Sequence, residues 1–562
     1  MATSVHALAT EAGIEILHKG GNAIDAAVAT GFALAVVYPF AGSLGGGGFM
    51  LIHLADGRDV AIDYRETAPA AAARDMYLGP DGVLIKGPGS STAGWRASGV
   101  PGTVAGFAFV FKKYGSGKVS WADVIEPARR LAADGHRVTD YTATSFGLKE
   151  KFLDQFAETK RIYLNGGHLW KPGDLWRQPD LAATLLRLQK SGPREFYEGE
   201  TAKRIVSAMQ ANAGMLSFDD LKNYQPVERV PLRGTYRGYE IVAMPPPSSG
   251  SIALLQMFAM LEPFDVAALG AGSAAKMHLF AEVMRRAFRD RAEFLGDPDF
   301  VHVPVAGLLD RGYLTQRMKT FDPYRATPSV GLAAGQPAGW NVSDAETSKS
   351  HREANETTHY SIIDAAGNAV ANTYTLNGAY GSGVTIPDTG ILMNNQMDDF
   401  TSKPGAPNAY GLIQGEANSI APGKRPLSSM TPTFVFKNGE LFLITGTRGG
   451  PTIINTVLQV ITNVIDHGMN AAEAVAAPRI NHQWMPDVIT YEPDGLAPDV
   501  IDELRARGHS VVLRNLYDEQ LPNPPRSEYL QGDAETIMID PQTHHRLGAA
   551  DPRQPDAKAI GY

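Results

Sequence analysis

Apolar residues near the start of the chain recur at helical spacing. Thr10 to His18 carries them on one face and stops at Gly20-Gly21, a helix-ending pair because glycine tolerates the left-handed cap conformation. Asn22 opens a second helix, apolar nearly all round and ending before Pro39, so it is expected to be buried. The period then changes to two. Phe49 to Leu54 and Val60 to Tyr64 read as strands on either side of Asp56-Gly57, a hairpin turn pair. From about Asp75 to Phe321 the pattern is mostly that of amphipathic helices with short strands, Met277 to Phe294 being the clearest helix. Pro245-Pro246-Pro247-Ser248-Ser249-Gly250 reads as a rigid loop between a strand and a helix.

The texture changes at about Tyr324. Residues 324–356 are polar and hold hardly any large apolar side chain, which predicts an exposed, mobile tether. Strand patterning begins at once beyond it. His359 to Asp364 and Ala369 to Leu376 bracket an Ala-Gly-Asn turn. Thr433 to Phe436 and Leu441 to Thr445 bracket Asn438-Gly439, and a helix from about Pro451 to Asp466 follows. There are no internal repeats. Strand-rich segments alternating with helices imply a layered α/β fold.

Composition narrows the chemistry. The chain has 562 residues, enough for several domains or one large layered unit. Hydrophobic residues are 44% and charged residues 20%, ordinary values for a folded soluble protein. The net charge is -9 and no dense Lys/Arg run occurs, so nucleic acid is not an expected partner. There are no cysteines, which removes disulfides, zinc-thiolate sites and a Cys nucleophile; the absence fits cytosol and periplasm equally. The first residues have no basic segment followed by an apolar run, so no export signal is read there. Ala26 to Val37 is too short to span a bilayer, and no membrane insertion is expected. No HExxH and no other metal-ligand spacing occurs, so neither metal nor cofactor is expected.

The informative boundary is Glu356-Thr357-Thr358-His359-Tyr360, where the polar tether runs into a strand that opens with threonine. Threonine is ordinary at strand starts. Its hydroxyl is a poor nucleophile unless a base adjoins it, and a free α-amine, with a pKa of about 7.7–8.0, is such a base. A cut between Glu356 and Thr357 would put nucleophile and base on one residue. The same hydroxyl could make that cut by attacking the Glu356 carbonyl. Further along, Leu443 to Pro451 reads as strand, glycine turn and helix. It lacks the Lys-Ser/Thr ending of a phosphate loop, and its glycine spacing is not that of a dinucleotide site. The same geometry serves an oxyanion hole. The Gly45 to Gly48 run leads into a strand, so close packing is its expected use.

These pieces occur with others in a fixed order. Thr357-Thr358-His359-Tyr360-Ser361, Thr373-Tyr374-Thr375-Leu376-Asn377, Asn394 to Phe400, Arg425 to Met430, Gly449-Gly450 and Asp551-Pro552-Arg553 together resemble the small subunit of γ-glutamyltransferases, or glutathione hydrolases. Upstream, Gly20 to Ala27, Leu44 to Met50, Asp63 to Glu66, Gly102 to Gly106 and the Pro245 to Gly250 loop resemble the large subunit. The resemblance covers essentially the whole chain. It implies an N-terminal-nucleophile αββα sandwich, made as a precursor and cut into a large fragment, 1–356, and a small one, 357–562, that remain together as a heterodimer. It implies that Thr357 is the nucleophile, with Thr375 hydrogen-bonded to it. Asn377, Gln396 and Asp399 would hold the α-amino group of a γ-glutamyl donor such as glutathione, and Arg65, Ser428 and Ser429 its α-carboxylate. Gly449 and Gly450 would supply oxyanion amides. Lys403 to Gly411 resembles the lid loop of bacterial members, with Tyr410 as its cover. Acceptors would be water, amino acids or dipeptides, and the location periplasmic or secreted.

Physical chemistry makes these roles reasonable. A glutamyl head group is a zwitterion and needs one cationic and one anionic wall; an arginine fork suits the carboxylate and an aspartate the ammonium. Three features depart from the family pattern, the first being that this sequence starts where the family's export leader would end. Arg448 stands beside the oxyanion glycines where a proline or small residue is common, and Glu356 stands where glutamine often precedes the cut. Two rival readings follow from the same residues: a related acylase acting on glutaryl β-lactam side chains or poly-γ-glutamate, and a non-catalytic binding protein on the same fold.

Overall fold

The computed structural model describes residues 1–340, 357–514 and 529–562. Its first helix runs Ala7–His18 and its second Ala23–Val37, every residue of the latter buried. Asn22 and Asp25 cap the second helix reciprocally: the Asn22 side chain accepts from the Ile24 and Asp25 amides, and the Asp25 carboxylate accepts from the Asn22 amide.

Two antiparallel sheets form the centre. One has seven strands, in the order Lys558–Ile560, Ala2–Ser4, Thr358–Ile363, Ala369–Thr375, Gly47–His53, Asp59–Tyr64 and Val227–Arg229. The other has six, in the order Arg546–Ala549, Thr536–Ile539, Glu440–Thr445, Thr433–Lys437, Tyr239–Ala243 and Leu232–Tyr236. The alternation of strand side chains divides the interior. Met50 and Ile52 join the core made with the first two helices, while Phe49 and Leu51 join the core that contains Phe434, Leu443 and Ile444 of the second sheet. The seven-stranded sheet is thus covered on both faces, so its strands are apolar on both. Helices Ala7–His18, Ala23–Val37 and Thr103–Tyr114 cover one outer face; Gly250–Leu261, Ala274–Phe294 and Thr452–Ile465 cover the other. The result is the αββα sandwich expected of an N-terminal-nucleophile hydrolase.

Local chemistry explains the turns and the close approaches. Asn438 and Gly439 both have positive φ, as the two-residue hairpin between Thr433–Lys437 and Glu440–Thr445 requires. A Cβ on Gly46 would lie 2.1 Å from the Thr375 carbonyl oxygen, and one on Gly48 2.5 Å from that of Thr373. The glycine run therefore lets two strand backbones meet closely, right at the end of the strand that carries Thr375.

The first half of the expected tether is not free. Ala326 N donates to Arg507 O at 2.7 Å, Ser329 N to the Asp487 carboxylate at 2.7 Å, and Trp484 Nε1 to Ser329 O at 3.1 Å. Trp340 packs edge-on against Phe294 with ring centres 5.1 Å apart. Its polar composition misled because its polar groups are met by the body of the protein: the Arg507 carbonyl, the Asp487 carboxylate and the Trp484 indole. Residues 341–356 lie outside the described residues, and with them Glu356.

Candidate active site

Thr357 immediately precedes the strand Thr358–Ile363, which has paired neighbours on both sides. The register sets Tyr374 opposite Thr358, bringing Thr375 alongside Thr357; the Thr357 hydroxyl donates to Thr375 Oγ1 at 3.4 Å. Asn377 N donates to the same Thr375 oxygen at 2.8 Å from a backbone with φ of 78°, a region asparagine tolerates. Thr357 is only 3% exposed. His359, two residues along, is a neutral ring bonded to Thr373 Oγ1 at 2.8 Å and Ser361 Oγ at 3.2 Å; burial pushes its pKa down to about 3. It is unsuited as a base at neutral pH.

Thr357 opens onto a cleft walled by Arg65, Arg291, Gln396, Asp399, Ser429 and Tyr410, with Asn377, Ser428 and Gly450 also on its surface. Charge is sorted within it. Arg65 is fully buried, donates from Nε to Pro426 O at 3.3 Å and pairs through Nη2 with Asp399 Oδ2. Gln396 Nε2 donates to the same Asp399 oxygen at 2.6 Å, while Gln396 Oε1 is buried without a hydrogen-bond partner. An anion and an unused acceptor side by side form a corner suited to an ammonium group. Burial raises the Asp399 carboxyl above its ordinary range, and Arg65 pulls it back. Glu66, fully buried behind Arg65, is pushed by burial to about 8 and is largely protonated at neutral pH.

The carboxylate side is built by two loops. Ser249 N and Ser249 Oγ both donate to Ser428 O at 2.7 Å, and Ser248 Oγ donates to Met430 O at 2.7 Å. The Pro245 to Gly250 loop thus braces Ser428-Ser429 from behind. Its last glycine is obligatory, because a Cβ there would sit 1.7 Å from Thr431 Oγ1, the group that donates to Ser429 O.

The strand Glu440–Thr445 ends in the glycine turn, with φ of 127° at Gly449 and 54° at Gly450. Gly449 O accepts from Thr452 N and Thr452 Oγ1, so the turn is fastened to the helix Thr452–Ile465. Gly450 lines the cleft, whereas Gly449 is not on its surface. Arg448 does not line the cleft. Its Nε lies 2.5 Å from the buried Asp533 carboxylate, so the extra charge noted in the sequence is matched on the spot.

The loop expected to act as a lid packs over the cleft. Tyr410 OH donates to Asn377 O at 2.7 Å, Gln483 Nε2 donates to Tyr410 O at 3.1 Å, and Asn408 Oδ1 accepts from Tyr410 N. Asp398, next to Asp399, accepts from Ala409 N at 3.0 Å and from Ser91 Oγ at 2.7 Å, clamping the lid to the body. Burial pushes its carboxyl up to about 6.

The sequence-predicted residues Arg65, Thr357, Thr375, Asn377, Gln396, Asp399, Tyr410, Ser428, Ser429 and Gly450 therefore meet in one cleft. Two residues outside that set also matter: Arg291 in the cleft wall and Asp398 at the lid. Arg291 gave no local signal, since its helix also carries Arg285, Arg286 and Arg289 and resembles a solvated face. Asp398 adjoins Asp399 and was readable only as its neighbour. Spacing did not reveal that His278, Glu282 and His509 come together. His278 Nδ1 is bonded to His509 Nε2 at 2.7 Å and its Nε2 to Asp322 O at 2.8 Å, while Glu282 is taken by Arg285, Arg286 and Thr327. Two guanidinium groups beside it disfavour a cation. Among the described residues no helix is long and apolar enough to cross a membrane.

Comparison with known proteins gives the same picture. The γ-glutamyltranspeptidase family model matches residues 9–561. The glutathione hydrolase proenzyme of Escherichia coli (strain K12) is 45% identical over 567 residues, spanning 100% of this chain and 92% of that protein. The cephalosporin acylase from Bacillus halodurans superposes with a TM-score of 0.83 at 26% identity, covering 100% of this chain and 96% of the other. The Helicobacter pylori γ-glutamyltranspeptidase gives 0.58 at 42% identity, covering 60% of this chain and 96% of the other. The two packed antiparallel sheets, and the solved structures they resemble, are those of N-terminal-nucleophile hydrolases. Within that class, the chain belongs to the γ-glutamyltranspeptidase family.

Proposed function

We propose that the protein is a self-processing γ-glutamyltransferase and glutathione hydrolase whose nucleophile is Thr357. The observation that carries this is the cleft in which the Thr357 hydroxyl faces an ammonium-binding corner, Asp399 with Gln396, and a carboxylate-binding wall, Arg65 with Ser429. A γ-glutamyl head group is the zwitterion that satisfies both.

In maturation, Thr357 Oγ attacks the preceding carbonyl, the peptide nitrogen leaves as an amine, and water hydrolyses the resulting ester. The fragments 1–356 and 357–562 remain paired. In turnover the freed α-amine accepts the hydroxyl proton as Oγ attacks the γ-amide carbonyl. Amides of the Gly449-Gly450 turn stabilise the oxyanion, and the amine product leaves with the proton. Water then gives glutamate, or an amino-acid or dipeptide amine gives a new γ-glutamyl product. Cysteinylglycine is the leaving group when the donor is glutathione. Export to the periplasm or beyond fits this role.

The test is a denaturing gel of purified protein with a γ-glutamyl-p-nitroanilide assay. Two fragments and amide turnover are expected; an uncut chain with no turnover would favour a binding protein instead. The whole-chain likeness to a cephalosporin acylase favours one rival, a glutaryl acylase. A preference for glutaryl over γ-glutamyl anilide would establish it.

A further inference from the structure

Arg291 lies on the helix Ala274–Phe294, is 2% exposed and forms part of the cleft wall. Its Nε donates to Ser249 Oγ at 2.8 Å, and its Nη2 reaches Ser429 Oγ at 3.4 Å. Its Nη1 is buried without a hydrogen-bond partner. Among the described residues no carboxylate lies within ion-pair distance of it, whereas its helix neighbours Arg285 and Arg286 each have one. A guanidinium kept out of water without a counter-ion is costly. The cleft also holds more cations than anions. Arg65 and Arg291 face Asp399 alone, since Glu66 is largely protonated.

We infer that Arg291 is a positioning and specificity residue that supplies a second positive charge for the α-carboxylate of the donor, acting through Ser429. The inference rests on the γ-glutamyl reading above. Because Nη2 donates to Ser429 Oγ, the oxygen is occupied as an acceptor, and the Ser429 proton is left to donate to a substrate carboxylate. Ser249 aims the guanidinium and is itself tied to Ser428 O. Arg65 shares its charge with Asp399, so Arg291 is the cleft cation with no carboxylate partner among the described residues.

The experiment measures kcat and KM for wild type, Arg291→Ala, Arg291→Lys and Ser249→Ala on two donors. γ-Glutamyl-p-nitroanilide has the α-carboxylate; 4-aminobutyryl-p-nitroanilide keeps the amine and the scissile amide but lacks it. Arg291→Ala should lower kcat/KM roughly tenfold to a hundredfold on the first donor, mainly through KM, and only a few-fold on the second. Arg291→Lys should lie between, and added guanidinium salt should partly restore Arg291→Ala. Equal losses on both donors, or no loss on the first, would overturn the inference. If Arg291→Ala does not fold, Arg291→Lys and Ser249→Ala carry the same comparison. Wild type that fails to prefer the carboxylated donor would instead overturn the γ-glutamyl reading itself.

Discussion

Replacing Asp399 with asparagine separates the two halves of the head-group site. In the structure Asp399 Oδ2 receives both Arg65 and Gln396 Nε2, so it joins the cationic wall to the ammonium corner. Asp399→Asn keeps an oxygen that can accept from Gln396 but removes the charge. A hydrogen bond to a charged group contributes about 1.5–3 kcal/mol, so kcat/KM for γ-glutamyl-p-nitroanilide should fall roughly tenfold to a hundredfold. Glutaryl-p-nitroanilide has the carboxylate but no ammonium, and its kcat/KM should hold or rise, because Arg65 is released from its ion pair. The variant should also melt at a lower temperature. Breaking a buried pair costs about 3–5 kcal/mol. The assay is the ratio of kcat/KM on the two anilides, with the melting temperature recorded alongside. Equal depression of both donors would refute the assignment of Asp399 to the amino group and leave it a purely structural partner of Arg65.

Three further outcomes are expected. Thr357→Ala should abolish both the cut and turnover, while Thr357→Ser keeps both at a lower rate; two fragments from Thr357→Ala on a denaturing gel would remove Thr357 from the maturation step. Tyr410→Phe deletes the hydroxyl that donates to Asn377 O and should loosen the lid, raising hydrolysis relative to transfer in the product ratio with glycylglycine; an unchanged ratio would show that this bond does not gate water. Asp398 has a folded-state pKa of about 6 against an ordinary 3.8, so the native state holds its proton more tightly and this group's contribution to stability falls as pH rises through that window. Melting curves of wild type and Asp398→Asn should therefore diverge in the variant's favour between pH 4 and pH 7.5, by up to about 3 kcal/mol; a constant difference would show that Asp398 is not held protonated.

Much of this was readable because the residues cluster along the chain. Thr357 to Ser361, Thr373 to Asn377 and Asn394 to Phe400 lie on consecutive strands and one turn, so order and spacing carry them. The hairpin at Asn438-Gly439 was legible from backbone chemistry alone. Arg291 was not, because nothing local distinguishes a buried arginine from a solvated one. Its burial comes from packing the helix against the Pro245 to Gly250 loop, a long-range event. The strands Ala2–Ser4 and Lys558–Ile560, neighbours at one end of the seven-stranded sheet, are three residues each, too short for a period to declare itself. The stretch 324–340 failed for the opposite reason: its polar groups find partners on Asp487, Trp484 and Arg507, far away in sequence.

The pairing of Thr358–Ile363 with Ala2–Ser4 on one side, and of Ala369–Thr375 with Gly47–His53 on the other, bears on genetics. With the proposed cut ahead of Thr357, neither product would own a complete sheet, and each would supply strands between those of the other. Partners would then come from a single translated copy, and exchange afterwards would require unpairing strands inside the sheet. A cell producing wild-type and Thr357→Ala chains together should contain two separate populations, with no hybrids. Loss-of-function alleles should then behave as recessive, and two alleles damaged in opposite fragments should fail to complement.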